Sequence, residues 1–125
     1  MPFKNAPTSE PQTLESLITC RPGQISSMSL LARTPAFPEG ALCDTFMLLA
    51  FSEDESISEE TYFSDMLYYL IEGSANITLH EPNVNETTTQ RTVALKAGEL
   101  FVVPAHTAHA VHAQGAIKLL QVSMK

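Results

Sequence analysis

Basic residues are scarce in this chain of 125 residues: 7 Lys+Arg stand against 14 Asp+Glu, a net charge of −7. A surface so acidic repels phosphate backbones and anionic lipid, which argues against nucleic-acid and membrane-surface binding. Long apolar runs are missing as well; none approaches the ~18–20 residues that span a bilayer. The opening "MPFKNAPTSEPQTLES" has three prolines and no apolar core segment, so it is not a secretory signal. Without secretion the sequons at Asn76 and Asn85 carry no meaning. Cysteine is limited to Cys20 and Cys43, too few for a disulfide framework and without metal-site spacing. Two reduced thiols in a cytoplasmic protein are the expectation.

Nucleophile signatures are absent too. There is no Gly-x-Ser-x-Gly elbow, and neither cysteine sits in a catalytic-thiol motif. The acidic run Glu53, Asp54, Glu55, Glu59, Glu60 lacks the ordering and turn glycine of a calcium loop. Apart from Glu60, it reads as a solvated loop.

What is present is a globular composition, 44% hydrophobic and 17% charged, in a chain sized for one domain. Residues 1–16 read as an irregular N-terminal arm, because Pro2, Pro7 and Pro11 deny it regular hydrogen bonding. From residue 17 to 125, short apolar segments alternate with turn residues: "QISSMSLLA", "LCDTFMLLAF", "MLYYLIEGSANITLH", "RTVALKAGELFVVPA" and "AIKLLQVSM". "TPAFPEG" and "HEPNVNETTTQ" are the interruptions. Segments of this kind predict an all-β sandwich or barrel. In "SANITLH" the alternation puts Ala75, Ile77 and Leu79 on one face, and Ser74, Asn76, Thr78 and a solvated His80 on the other.

Three of the four histidines, His106, His109 and His112, recur at intervals of three in "GELFVVPAHTAHAVH". If the stretch were helical they would share adjoining faces; on a strand, a separation of three reverses the face. Taken by themselves, the residues leave that contest close.

"YYLIEGSANITL", followed by "LKAGELFVVPAHTAHAV", resembles the two motifs of the cupin superfamily. Gly98, Pro104 and His109 stand at three diagnostic positions of the second motif; His106 replaces its second glycine and Ala113 its asparagine. The first motif closes at Gly73, and counting back puts Met66 where the metal-binding Glu stands. Its two histidines fall at Glu60 and Tyr62, or at Glu59 and Thr61. Compared with small single-domain relatives, "ESISEETYFSDMLYYLIEG" places Glu60 at the remaining histidine and keeps Asp65.

The resemblance implies a single jelly-roll β-barrel, with strand geometry through residues 105–114. His109 then faces inward with Val111 and Ala113, His112 faces out, and His106 lies in a turn at the cavity rim. Family barrels hold Fe, Mn, Ni or Zn with three histidines and a carboxylate, and one of those four ligands is kept here. Two functions are therefore carried forward. One is a module binding a small molecule in a cavity lined by Glu60, Tyr62, Met66, Tyr69 and His109, with Tyr68 and Phe46 as further candidates. The other is a metal-dependent oxygenase or isomerase whose divalent first-row ion is held by His109 and Glu60 with help from His106. Without metal, His109 paired with Glu60 could shuttle a proton. Both faces of "AIKLLQVSM" are apolar, which together with the family habit predicts a homodimer.

Overall fold

The computed structural model describes residues 3–31, 43–82 and 88–124, so "TPAFPEG", the centre of "HEPNVNETTTQ" and the Asn85 sequon lie outside it. Its seven strands are β1 (Ile25–Ser29), β2 (Cys43–Phe51), β3 (Ser56–Glu60), β4 (Met66–Pro82), β5 (Thr88–Lys96), β6 (Leu100–Val103) and β7 (Ala108–Met124). All the pairings between them are antiparallel. No helix among the described residues is long and apolar enough to cross a membrane.

Two strands organise the barrel. β4 and β7 each run 17 residues, against about 5–6 for an ordinary strand, and they pair along most of that length. The first half of β4 and the second half of β7 belong to one sheet with β1, β2 and β6. Their other halves form a second sheet with β3 and β5. The change of sheet occurs where the register slips, between Leu70 and Ser74. Gly73 sits there with φ +92°, and a Cβ on it would lie 2.6 Å from the Ala116 carbonyl oxygen. The extra residue switches the buried side of β4 from Met66, Tyr68 and Leu70 to Ala75, Ile77 and Leu79.

The inner core joins those side chains to Leu49, Phe51, Val111, Ala113, Ile117 and Leu119. Residues 105–114 are not helical: β7 begins at Ala108 and runs on as one strand. One segment departs from expectation. Residues 56–60, read as part of a solvated acidic loop, form edge strand β3 against β7. Only Ile57 of β3 is even half-buried, so its sequence carries almost no apolar signal.

A second apolar layer covers the outside. Leu14, Leu17, Ile18 and Cys20 come together with Leu30, Leu48, Ala50 and Leu120. Leu120 and Leu48 are register partners on β7 and β2, so the N-terminal segment lies over the outer face of that sheet. The cover that the apolar outer face of "AIKLLQVSM" demands at Leu120 is therefore supplied within the chain.

Candidate functional site

Near the start of β7, His109 is paired in register with Glu60 of β3 on one side and Leu79 of β4 on the other. Strand alternation turns its ring inward, where it is 2% exposed. The Thr107 carbonyl, 3.0 Å from Nδ1, can only accept, so Nδ1 carries a hydrogen. A neutral ring then leaves Nε2 to accept from the Tyr68 hydroxyl at 2.8 Å. Both nitrogens are satisfied by the barrel itself. Val111 and Ala113 share the inward face, while His112 is exposed outside and bonded to Ser56. His80 also lies on the outer face, 3.8 Å from the Glu59 carboxylate.

Tyr62 leans on the other side of the imidazole, with ring centres 5.7 Å apart and planes at 44°. Its hydroxyl donates to the carboxylate of Glu60. Burial, followed by the hydrogen bond and charge of Glu60, pushes the Tyr62 phenol up to about 12, although a bond with Gln121 opposes the shift. Tyr68 is raised further, first by burial and then by Tyr62 and Glu60. Both phenols therefore remain protonated donors at neutral pH.

Tyr62 also borders a cavity of about 320 Å³. Met66, 2% exposed, forms its floor, and Phe63, 90% exposed, stands at its mouth. Hydroxyls of Thr45, Ser64 and Ser123 complete the wall with Thr61. The loop 61–65 between β3 and β4 supplies four of the lining residues, and 104–107 between β6 and β7 lies beside that loop. They are laced together by the His106 N–H donating to the Tyr62 carbonyl and the Ala105 N–H donating to Asp65 Oδ1, each at 2.8 Å. Asp65, kept from the small relatives' pattern, thus ties the loops together. His106 is exposed, has φ +65°, and meets the Phe63 ring edge-on at 5.8 Å.

Of the residues singled out in the sequence, Tyr62 and Met66 line the cavity, and His109 lies behind Tyr62. Glu60 is exposed and engaged by Tyr62. Tyr69 does not join them: Met66 and Tyr68 face in, so pleating turns Tyr69 to the outer face, beside Leu100 and Leu120. Phe46 likewise packs in the outer layer. Sequence reasoning missed Gln121 and Ser123, both buried, and Thr45. A signal was available, because residues 121 and 123 continue the inward alternation of Ile117 and Leu119 with polar side chains.

These residues do not fit a resident first-row metal. Such an ion needs several N or O donors converging on it. Among the described residues no three of His, Cys, Asp and Glu are grouped to hold one. The one inward imidazole has its Nε2 lone pair taken by Tyr68. His106, expected to help, interacts with Phe63 at the rim rather than with His109.

A family model described as Cupin matches residues 33–124. Comparison with curated proteins finds no match. Among solved structures, a cupin superfamily protein of Desulfitobacterium hafniense is similar at 34% identity, over 98% of this chain and 96% of that one, with a TM-score of 0.79. A conserved protein of unknown function from Streptococcus pyogenes is 20% identical, with coverages of 98% and 93% and a TM-score of 0.79. A cupin 2 conserved barrel domain protein from Leptotrichia buccalis is 18% identical, with 98% of this chain matching 51% of that one at TM-score 0.76. The last two likenesses speak to the fold alone.

Proposed function

Because the chain belongs to the cupin family, we propose that it holds a small uncharged molecule at the mouth of its barrel, with no metal. The observation that carries this reading is the hydrogen bond between Tyr68 and Nε2 of His109, which occupies that nitrogen where a metal-binding imidazole is expected. The adjoining cavity of about 320 Å³ is at the small end of ligand pockets, roughly 300–1,000 Å³. None of its lining side chains is charged. We also propose a cytoplasmic location, in keeping with the free thiol of Cys20.

Screening a library of neutral and charged small molecules by ligand-observed NMR tests the proposal. Neutral compounds should bind in the low-micromolar to millimolar range, and Tyr62→Ala should abolish the response. Elemental analysis of untagged protein tests the metal-dependent enzyme in parallel. Stoichiometric Fe, Mn, Ni or Zn that disappears in both Glu60→Ala and His109→Ala would overturn the proposal in favour of the enzyme.

A homodimer belongs to the same reading. Leu100 and Val102 of β6 are 59% and 47% exposed, on the side of β6 shared with Leu67 and Tyr69. A second copy would bury them. Size exclusion with light scattering should return twice the chain mass, and Val102→Glu should return the monomer.

A further inference from the structure

Resting on that reading, we infer that the ligand is a neutral aromatic ring with one hydrogen-bonding group, packed in the cavity against Phe63, whose ring His106 backs edge-on. Single exposed apolar side chains need no explanation. Phe63 differs because it lines a cavity while 90% exposed, and because it is oriented edge-on, at 78°, against an imidazole. A ring entering the mouth would cover its open face. Tyr62 then offers a second aromatic wall and Met66 a thioether floor, a contact sulfur makes well with ring edges.

The backbone supports the same assignment. His106 has φ +65°, a left-handed conformation that glycine adopts freely and that strains most other residues. Strain of this kind is retained at ligand clamps. Here it sets an imidazole against the Phe63 ring, a support that glycine would not give. The bonds from His106 to Tyr62 and from Ala105 to Asp65 hold both loops in place before any ligand arrives, so little ordering is needed on binding.

The lining also selects against other ligands. A sugar presents hydroxyls on every edge, whereas Tyr62, Phe63 and Met66 offer three largely apolar surfaces. An anion finds no cation in the lining and the carboxylate of Glu60 behind Tyr62. One phenolic or carbonyl oxygen can be met by the hydroxyl of Ser64 or Ser123.

Saturation-transfer NMR with p-cresol, benzoate and D-glucose as separate probes tests the assignment on the full chain. p-Cresol should bind; Phe63→Ala should weaken it about fivefold, the scale of one aromatic contact, and His106→Gly by a smaller factor through loss of the ring that backs Phe63. Phe63→Ala should leave Tm unchanged. His106→Gly should raise Tm by about 3 °C as strain is relieved, which separates the lost affinity from any loss of folding. Binding of D-glucose without p-cresol, or benzoate binding more tightly than p-cresol, would overturn the aromatic ligand while leaving a small-molecule binder standing. Unchanged p-cresol affinity in Phe63→Ala would overturn the assignment of the ring to Phe63. No response from p-cresol overturns the inference as well, and the wider screen then decides separately whether any ligand is taken.

Discussion

At the scale of single residues, the site depends on the hydroxyl of Tyr68. Tyr68→Phe deletes the donor and leaves Nε2 of a buried imidazole without a partner. The expected cost is about 1–3 kcal/mol, measurable as a lower urea midpoint at unchanged slope. The phenols also set the alkaline limit. Their folded-state values are raised above the ordinary 10.0, in Tyr62 to about 12. The unfolded chain therefore loses those protons first as pH rises. Stability is fully present below about pH 10 and declines as pH climbs through about 12. Circular dichroism at fixed urea should show this decline, and it should be shallower in Tyr68→Phe. How far the site was legible follows the same residues. The motif spacing led to His109, Tyr62 and Met66, since a spaced motif survives substitutions elsewhere. Nothing in the spacing says that a tyrosine caps the imidazole, because Tyr68 and His109 meet only through pairing of strands 41 residues apart in sequence.

At the scale of elements, alternation made most strands legible, and the inward set of β7 follows it without a break: His109, Val111 and Ala113, then Ile117 and Leu119. β3 was hidden because an exposed edge strand buries too little to leave a pattern. The outward turn of Tyr69 was missed because a cluster of aromatics was read without regard to pleating. The corner of β4 is a firmer matter. Gly73→Ala meets both a left-handed φ and the Ala116 carbonyl, whereas Gly115→Ala at φ +76° meets nothing within 4 Å. Chemical denaturation should therefore show a loss of about 3 kcal/mol or more for the first and about 1 kcal/mol for the second.

For the whole molecule, the outer layer shows how the N-terminal segment contributes. Ile18 is 6% exposed among Leu48, Ala50 and Leu30. Ile18→Ala should cost about 2 kcal/mol in urea denaturation, as for other large-to-small core changes. It should also leave the cavity's ligand affinity unchanged, because the two apolar layers lie on opposite faces of the sheet. Polar composition and prolines marked the arm as irregular, but they do not reveal that Leu14, Leu17 and Ile18 at its junction act as a cover.

The position of β7 has a consequence for how the chain is made. β7 pairs with β2, β3 and β4 and so lies in the middle of both sheets, yet it leaves the ribosome after β1 to β6. Before it emerges, the pairings open to the described strands are β1–β2, β4–β5 and β4–β6, each with an apolar face open to water. Closing β2 onto β7 brings together Phe51 and Ile117 across about half the chain, a slow search with no local shortcut. The barrel of the nascent chain therefore stays open and prone to association until β7 arrives and closes both halves together.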